Sequence, residues 1–513
     1  MTINIVDSST DDVRFLSSVD VKFSGFHLGG GVYFSANHVP TPGGASTAIA
    51  QRSLDGEGEM HETVELDYTL PGDPDTWNSY FLGPTVDLRY DMSLHIGSAL
   101  PDCGFYHGPS IGLLIAMNPD ELAGNVTITG YPKAENSLNG EEGVLHASTA
   151  NLVAGNHYEG SINGDAGGAF ILYSAQVLGG MSGGATFLEY DADGDGVDEF
   201  HAIGTISRAT PNGAEGLAYA TSFSAHYAKL AAALEALEGE QARSADDFAR
   251  NTLLSGQAEG SSFTTVQGTF FHEDLFGSLN QDTLLGAGGE DRLVGREGDD
   301  WLEGGAGGDI LEGGAGRDLA SYAQAQHRVY ADLEGRTVAK GEAKGDQFDS
   351  VEGLLGSAHS DRLRGDAAKN LLIGGAGDDR LFGRKGSDVL DGGEGDDHLF
   401  GNAGQDVLLG GDGADTFVYF RADESRVGYI RRDIIKDFEI GQDRIDLSRL
   451  AGEDFFVFIG EGRFSGQAGE IFYHKAESKG FTVLHADLDG DGRRDFQIEL
   501  SGLLDLEEED LIL

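Results

Sequence analysis

GGAGDDRLFGRKGSDVLDGGEGDDHLFGNAGQDVLLGGDGADTFV, residues 374–418, consists of five nonapeptides in the register G-G-x-G-x-D-x-apolar-x. A second run at 277–321 also holds five units, and weaker copies begin at Gly356 and Gly365. Glycines permit tight turns with positive φ, and one inward-facing apolar residue per unit builds a thin core between short strands. A disordered Gly/Asp linker would not keep one register over so many units, so the pattern predicts a parallel β-roll.

The sixth position of the repeat carries a carboxylate in nearly every unit. Carboxylate and main-chain carbonyl oxygens are the hard ligands that Ca²⁺ prefers, and the glycine turns leave carbonyls accessible. Asn370 replaces the carboxylate in the unit that begins at Gly365. The sequence therefore predicts several bound calcium ions with these ligands: Asp291, Asp300, Asp309, Asp318, Asp361, Asp379, Asp388, Asp397, Asp406 and Asp415.

Two further loops have carboxylates at alternating positions, as calcium loops do. Their candidate ligands are Asp191, Asp193 and Asp195 in DADGDGVDE (191–199), and Asp487, Asp489 and Asp491 near the C-terminus. An EF-hand count would place its twelfth position on Ala202, so the first loop is not an EF-hand. A calcium-stabilised loop and a plain acidic turn both remain open for each.

Bulk properties exclude several classes of protein. The formal net charge is −53, which opposes binding to nucleic acid or to an anionic membrane. Cys103 is the single cysteine, so no intrachain disulfide can form. No apolar run approaches the roughly 18 residues that a membrane-spanning helix needs, so no membrane insertion is expected. The segment MTINIVDSSTDDVRF lacks the basic and apolar regions of a signal peptide, so none is expected.

The C-terminal half, from about residue 270, resembles the RTX β-roll and terminal domain of serralysin-type secreted proteins. The motif D-x-I-x-D-F-x-x-G-x-D-x-I-D-L-S spans 433–448, D-x-D-G-D-G-x-x-D-F spans 487–496, and the chain closes Asp510-Leu-Ile-Leu. The resemblance implies an extracellular protein exported by a type I ABC exporter that reads a C-terminal signal. The zinc motif of serralysins is missing, because neither His61-Glu62 nor His272-Glu273 is followed by the second histidine.

Three stretches of the N-terminal half resemble the catalytic segments of trypsin-like serine proteases, especially the glutamyl-endopeptidase-like branch. They are GGGVYFSANHVP (29–40), YDMSLHIG (90–97) and GGMSGGATF (179–187). The resemblance implies that Ser182 is the nucleophile, His38 the general base and Asp91 the carboxylate that orients it. Gly180 N–H and Ser182 N–H would hold the oxyanion. Protein or peptide substrates follow from this resemblance.

Departures from the family pattern do not remove a catalytic atom. Met181 stands where trypsin has the aspartate that binds a freed N-terminus, and Asn37 and Ala185 replace the usual alanine and proline. GMSGG also fits the G-x-S-x-G elbow of α/β-hydrolases, but that fold needs an acid and a histidine downstream of the serine. The residue preferred at the cleavage site, the processing of a propeptide and the oligomeric state remain open. The rival interpretation is a non-catalytic calcium-binding surface or adhesive protein with an inactive barrel.

The predicted fold is mainly β. A trypsin-like double six-stranded β-barrel with a C-terminal helix at 226–242 occupies 1–242, and a linker occupies 243–276. The RTX roll occupies 277–418 in two blocks, 277–321 and 356–418. A small β domain of serralysin type, which contains the export signal, occupies 419–513. The function that this organisation predicts is a secreted, calcium-dependent serine endopeptidase.

Overall fold

The computed structural model describes part of the chain. The described ranges are 4–5, 18–20, 24–29, 32–35, 47–51, 63–67, 93–97, 113–116, 118, 121–130, 146–153, 157–158, 161–162, 165–166, 169–172, 184–192, 196–209, 218–224, 250–255, 264–335, 339–428, 431–450 and 456–513. The chain divides into two compact units, Met1–Ser278 and Leu279–Leu513. The helix expected at 226–242 lies outside the described residues.

The described residues of the first unit form twenty strands. They are β1 (Asn4–Ile5), β2 (Ser18–Asp20), β3 (Ser24–Gly29), β4 (Val32–Ser35), β5 (Thr47–Gln51), β6 (Thr63–Asp67), β7 (Ser93–Gly97), β8 (Leu114–Ala116), β9 (Gly124–Gly130), β10 (His146–Leu152), β11 (His157–Tyr158), β12 (Ser161–Ile162), β13 (Asp165–Ala166), β14 (Ala169–Leu172), β15 (Ala185–Tyr190), β16 (Glu199–Ala209), β17 (Ala218–Ser222), β18 (Asn251–Leu254), β19 (Thr264–Gln267) and β20 (Glu273–Phe276).

Antiparallel pairing organises most of this unit. Six strands close into a barrel in the order β2-β3-β4-β7-β6-β5, and eight form a sheet in the order β1-β10-β9-β15-β16-β17-β14-β11. Alternating apolar residues explain one face of the sheet: Val126 and Ile128 of β9 are buried together with Phe187 of β15. Strand β18 pairs in parallel with both β8 and β20.

The second unit contains the remaining strands. They are β21 (Asp282–Leu285), β22 (Arg292–Glu297), β23 (Trp301–Glu303), β24 (Ile310–Ala315), β25 (Leu319–Ser321), β26 (Tyr330–Asp332), β27 (Gln347–Asp349), β28 (Gly353–Leu355), β29 (Arg362–Arg364), β30 (Leu371–Ala376), β31 (Arg380–Phe382), β32 (Lys385–Gly386), β33 (Val389–Glu394), β34 (His398–Phe400), β35 (Ala403–Gly404), β36 (Val407–Asp412), β37 (Thr416–Val418), β38 (Asp433–Ile435), β39 (Arg444–Asp446), β40 (Val457–Glu461), β41 (Glu470–Ala476), β42 (Phe481–Asp487), β43 (Phe496–Ser501) and β44 (Leu511–Ile512).

The roll is built from parallel strands, and within each block of repeats a strand pairs with the one eighteen residues further along the sequence. Successive partners along one sheet are Leu372, Leu390 and Leu408, and along the facing sheet Leu363, Leu381, Leu399 and Phe417. All of these side chains are fully buried. Because the repeat is nine residues long, alternate repeats contribute to opposite sheets, and their eighth-position residues meet in the thin core that the sequence predicts.

The terminal part of this unit continues the roll and adds an antiparallel section. Strand β43 pairs in parallel with β38 and antiparallel with β42, which pairs antiparallel with β41. Among the described residues of this unit, short 3₁₀ helices lie at Gly341–Ala343 and Glu508–Asp510. Within the described ranges the fold is mainly β, which confirms the predicted class, and the parallel sheets are consistent with a β-roll. No helix in those ranges is long and apolar enough to cross a membrane.

Candidate calcium sites of the repeat

The sixth-position aspartates are linked to one another by hydrogen bonds. Asp388 shows the pattern: its Oδ1 accepts the N–H of Asn370 at 2.9 Å, and its own N–H donates to Asp406 Oδ1 at 2.9 Å. The same link joins eight pairs eighteen residues apart: Asp282–Asp300, Asp291–Asp309, Asp300–Asp318, Asp361–Asp379, Asn370–Asp388, Asp379–Asp397, Asp388–Asp406 and Asp397–Asp415. We call this series the aspartate ladder.

The second carboxylate oxygen has a different environment. In seven ladder members Oδ2 is buried and accepts no hydrogen bond from the described residues: Asp300, Asp318, Asp379, Asp388, Asp397, Asp406 and Asp415. A buried carboxylate oxygen without a donor is unfavourable by about 1–3 kcal/mol or more, so it needs a proton or a cation. The oxygens therefore identify positions where a cation would compensate the buried charge.

A glycine faces each of these oxygens. A Cβ placed on Gly383 would lie 2.5 Å from Asp388 Oδ2 and 2.8 Å from the carbonyl oxygen of Gly401. The carboxylate and carbonyl oxygens thus converge on the space in front of Gly383. Gly286 has the same surroundings, with Asp291 Oδ2 and the Gly304 carbonyl oxygen each at 2.5 Å. Hard oxygens that converge in this way fit Ca²⁺.

Burial is the main cause that raises the pKa of the ladder carboxyls, and neighbouring carboxylates raise it further. The pKa rises to about 8 for Asp379 and Asp388, to about 7 for Asp300, Asp406 and Asp415, and to about 6 for Asp318 and Asp397. A carboxyl with a pKa near neutrality binds a proton unless a cation takes its place. The raised pKa values and the buried Oδ2 atoms therefore indicate cation sites at the same aspartates.

Asp361, also a predicted ligand, differs from the other ladder members. Its Oδ2 accepts the N–H of Ser357 at 2.5 Å, and its Oδ1 accepts the N–H of Val329 at 2.6 Å. We call a turn closed when the side-chain oxygen at its sixth position accepts the N–H of its second position. The turn of Asn370 is closed like that of Asp361, because Asn370 Oδ1 accepts the N–H of Asp366 at 2.8 Å. These two turns satisfy the sixth-position oxygen with the second-position N–H, so neither leaves an oxygen open to an ion.

The backbone at the second position explains the difference. In nine repeats this residue lies in the left-handed region, with φ of 73° at Arg384 and 103° at Gly393. Ser357 and Asp366, the second-position residues of the two closed turns, lie outside that region. A left-handed second position thus accompanies the open turns, and a second position outside that region accompanies the two closed ones.

The ladder extends beyond the nonapeptides. Asp406 N–H donates to Asp433 Oδ1 at 2.9 Å, Asp415 N–H to Asp443 Oδ1 at 3.0 Å, and Asp309 N–H to Asp346 Oδ1 at 3.0 Å. Sequence reasoning missed these three carboxylates as site residues. For Asp433 and Asp443 the signal was available, because both belong to the D-x-I-x-D-F-x-x-G-x-D motif. Asp346 lies in the insert between the blocks, where the nine-residue register is absent.

The second acidic loop brings its three predicted ligands together. Carboxylate oxygens of Asp487, Asp489 and Asp491 lie within 4.8 Å of one another. Asp487 is buried, and its two oxygens accept the N–H groups of Gly490 and Gly492 at 2.9 and 2.8 Å. In the first acidic loop Asp191 accepts the N–H of Gly196 at 3.0 Å. Asp193 and Asp195 lie outside the described residues.

The candidate catalytic residues lie outside the described part of the chain. This applies to His38, Asp91, Gly180 and Ser182. The strands next to three of them are described: β4 ends at Ser35, β7 begins at Ser93, and β15 begins at Ala185. The assignment of the triad therefore stays a prediction.

Two family models match the chain. Residues 340–513 match the peptidase M10 serralysin C-terminal domain, and residues 268–320 match the RTX calcium-binding nonapeptide repeat, a model of four copies. The chain carries RTX repeats and a serralysin C-terminal domain. RTX nonapeptide repeats bind calcium, which confirms the predicted cofactor. The ladder is thus part of a calcium-binding RTX roll.

Similarity to individual proteins is partial. Serralysin A of Dickeya chrysanthemi is 41% identical over 87 residues, which cover 17% of this chain and 18% of serralysin A. The secreted serine protease VesC from Vibrio cholerae aligns with a TM-score of 0.31 and 16% identity, over 45% of this chain and 47% of VesC. The AlgE6R3 subunit of a mannuronan C5-epimerase from Azotobacter vinelandii aligns with a TM-score of 0.18 and 31% identity, over 31% of this chain and 80% of the subunit. These TM-scores do not establish a shared overall fold.

Proposed function

We propose that the chain is a secreted, calcium-dependent serine endopeptidase in which His38, Asp91 and Ser182 form the catalytic triad. The proposed domains are a trypsin-like protease at 1–242, a linker at 243–276, the RTX roll at 277–418 and the serralysin-type C-terminal domain at 419–513. The proposal is supported by the sequence motifs around the three residues and by the strands next to them.

The pairing of β4 with β7 carries the proposal. The two strands are antiparallel neighbours in the closed barrel, and Ser35 at the end of β4 pairs with Ser93 at the start of β7. His38 follows Ser35 by three residues, and Asp91 precedes Ser93 by two. A His–Asp pair requires both residues at the same barrel end. The register of β4 and β7 supports this arrangement.

The strand after the serine adds support. Ser182 precedes β15 by three residues, and β15 lies between β9 and β16 in the eight-stranded sheet. Strand β3 of the barrel lies beside β15 and β9 within the same unit. A triad assembled from two β-structures needs the serine strand next to the barrel that supplies histidine and aspartate.

The chemistry follows from the residue types. Ser182 Oγ attacks the peptide carbonyl carbon while His38 accepts its proton, and Asp91 orients the imidazole. Gly180 and Ser182 N–H groups stabilise the oxyanion, and loss of one such donor typically lowers kcat about 10²–10³-fold. His38 then protonates the leaving amine. Water hydrolyses the acyl-enzyme, with His38 as general base, and regenerates Ser182.

Export and calcium dependence rest on the C-terminal half. Its match to the serralysin C-terminal domain supports type I export to the outside of the cell, where calcium is plentiful. Calcium that binds only the folded roll would stabilise it by mass action. The zinc motif of serralysins is missing from the sequence, and the motifs around His38, Asp91 and Ser182 favour a peptidase of the serine type.

Labelling with a fluorophosphonate probe tests the proposal. The full chain is incubated with the probe in calcium and, separately, after calcium removal, and the adduct is located by mass spectrometry. Ser182→Ala should abolish labelling, because the probe reacts only with an activated serine. Ser137→Ala serves as the control and should label like the wild type, because Ser137 belongs to none of the three stretches that resemble catalytic segments.

A label on Ser182 that needs calcium would support the whole proposal. A label that persists without calcium would support the triad and remove the calcium dependence. A wild-type chain that has folded, by circular dichroism, and takes no label would contradict serine catalysis. The non-catalytic calcium-binding surface protein would then be the better interpretation.

A further inference from the structure

A basic cavity that is open to solvent lies in the terminal part of the second unit, and its three arginines are exposed. Its volume is about 800 Å³, and its lining includes Arg463, Arg493, Arg494, His474, Phe464 and Phe472. Four of these side chains have nitrogen donors, although the whole chain has a net charge of −53. None of the described lining residues is acidic. The lining of the cavity is therefore positively charged, although the chain as a whole is negatively charged.

The loop with Arg493 and Arg494 has a defined shape. The carboxylate of Asp487 accepts the N–H groups of Gly490 and Gly492, and Asp495 Oδ2 accepts the N–H of Leu488 at 2.7 Å. These bonds fix the backbone on both sides of the two arginines. A preorganised loop loses less entropy when a ligand binds than a mobile one does.

The arginines differ in their ionic partners. Arg493 lies 3.8 Å from Asp491. Within the described part of the chain, neither Arg463 nor Arg494 has a carboxylate within salt-bridge distance. A guanidinium group presents a planar fork of donors that matches the oxygens of phosphate and carboxylate. Two such forks are available to a ligand in the cavity.

The proton on His474 is fixed by a chain of hydrogen bonds. Gly428 N–H donates to Gln497 Oε1 at 2.9 Å, so Gln497 Nε2 donates to His485 Nδ1 at 2.8 Å. His485 then carries its proton on Nε2 and donates it to His474 Nδ1 at 2.7 Å. Neutral His474 must therefore hold its own proton on Nε2. This nitrogen is the one ring atom left to donate to a ligand.

Burial and nearby arginines favour the neutral form of His474. Burial lowers the pKa of His474, Arg494 and Arg432 lower it further, and Glu461 opposes them. A second proton on His474 would have to go on Nδ1, where it would face the N–H of His485. His474 thus acts as a neutral hydrogen-bond donor over the physiological pH range.

Aromatic rings form the apolar wall. Phe464 is half-exposed and packs edge-on against Phe472, with ring centroids 4.6 Å apart. Phe472 is buried and lies 4.7 Å from the His485 ring. An apolar group attached to an anion would find contact with Phe464. The wall and the histidine pair support each other, because Phe472 packs on the ring that orients His474.

We propose that this cavity binds a tetrahedral oxyanion of the phosphate- or sulfate-monoester class, carried on a small apolar group. The two guanidinium groups without an ionic partner, Arg463 and Arg494, and an imidazole N–H offer more donors than one carboxylate can use, and Arg493 beside Asp491 adds positive charge. A phosphate monoester carries about −1.5 to −2 charges and three acceptor oxygens, which match this donor set.

Calorimetric titration of the calcium-loaded full chain tests the proposal. The probes are phenyl phosphate and phenyl sulfate, with benzoate as the planar carboxylate control, at constant ionic strength and calcium low enough to avoid precipitation. One ester should bind with a Kd of about 1 mM or tighter. Arg463→Gln and Arg494→Gln should each weaken binding about tenfold, the typical effect of one charged hydrogen-bonded contact.

Arg421→Gln is the matched control. Arg421 lies in the same unit, is exposed, and pairs with Asp423, so its loss changes the net charge equally without touching the cavity. Equal weakening by this variant would show general charge attraction and overturn the proposal. So would the absence of ester binding in a folded chain, or binding of benzoate as tight as that of either ester. Preference for one ester over the other identifies the source of the oxyanion.

A second measurement tests the donor assigned to His474. Long-range ¹H–¹⁵N correlation of histidine-labelled protein reports which ring nitrogen carries the proton. We expect the Nε2–H form for His474 and for His485, with the His474 Nε2 signal shifting on addition of the ester. The Nδ1–H form at His474 would overturn this donor role.

Discussion

Each of the seven aspartates whose Oδ2 accepts no hydrogen bond from the described residues has two separate roles. One oxygen accepts an N–H from the neighbouring turn, and the other is buried beside a glycine carbonyl and accepts no hydrogen bond, as Asp388 shows. The first oxygen organises the backbone, and the second is available to calcium. A carboxylate is needed because asparagine would place a nitrogen donor at one of the two positions.

Asp388→Asn should remove one calcium site, while Asp361→Asn should leave the number of bound ions unchanged. The reason is that both oxygens of Asp361 already accept hydrogen bonds, and Asn370 shows that an amide fits a closed turn. Calcium is counted by elemental analysis after equilibrium dialysis. Asp361→Asn loses one accepted hydrogen bond and should be less stable by about 1–3 kcal/mol, whereas Asp388→Asn can keep the hydrogen bond from Asn370 N–H through its amide oxygen. Equal loss of calcium in the two variants would contradict the division into open and closed turns.

Sequence reasoning predicted the ligand positions but could not separate Asp361 from the rest. The distinction depends on φ at the second position, and residue type does not fix it. Ala287, Arg296 and Asn402 adopt the left-handed conformation although they are not glycine. Ser357 does not adopt it. The conformation is decided by how neighbouring turns stack, which a nine-letter pattern does not contain.

Glycines in the turns are required for two reasons, which are a backbone with positive φ and the lack of space for a Cβ atom. Gly393 has φ of 103°, and a Cβ there would overlap the carbonyl oxygen of Gly375 in the preceding turn. Gly480, in the turn between β41 and β42, has φ of 76°, and a Cβ there would meet nothing within 4 Å. The first glycine meets a conformational and a packing need, and the second only a conformational one.

Gly480→Ala should lower the free energy of unfolding by about 1 kcal/mol, the cost of a left-handed L-residue. Gly393→Ala should lower it by several-fold more, because the backbone of two stacked turns must also separate. Urea unfolding of the calcium-loaded chain, followed by circular dichroism, measures both. Similar losses in the two variants would show that stacking of the turns tolerates a methyl group.

Strand pairing could be predicted for the roll but only in part for the first unit. Repetition fixed the roll, because each nonapeptide specifies the same turn, strand and inward residue. The six-stranded barrel was expected from short strands and turns. In the described residues, the sheet that contains β9 and β15 has eight strands, whereas the sequence predicts a second six-stranded barrel. The double barrel therefore stays a prediction. Which of many similar short strands pair depends on long-range packing, which local patterns do not encode.

Charge is the dominant property of the whole molecule. With a net charge of −53, the calcium-free chain places buried and exposed carboxylates close together. Burial raises the pKa of ladder aspartates to about 6–8. In the folded state these groups hold protons more tightly than in the unfolded chain, where an aspartate has a pKa of about 3.9. Folding of the calcium-free chain is therefore accompanied by proton uptake at pH values between the unfolded pKa and the folded pKa of these groups.

The calcium-free protein should lose stability as pH rises through about 6–8. A raised pKa in the folded state contributes stability that is complete below the unfolded pKa and is lost as pH rises through the folded pKa. Calcium reverses the trend, because it needs the deprotonated carboxylates. Urea midpoints between about pH 5 and 9, with and without calcium, measure both trends. A calcium-free midpoint that rises with pH would contradict the assignment of the buried oxygens.

The pairing of each repeat with the one eighteen residues away also constrains how the gene can change in length. Deletion of a single nonapeptide would transfer every later repeat to the opposite sheet and exchange the two series of hydrogen-bonded aspartates. Deletion or duplication of two nonapeptides keeps each later residue on its own sheet and shortens or lengthens the roll by one full turn. Arrays of this kind can therefore change length in steps of two repeats, whereas a step of one would require other changes to restore the alternation of the later repeats.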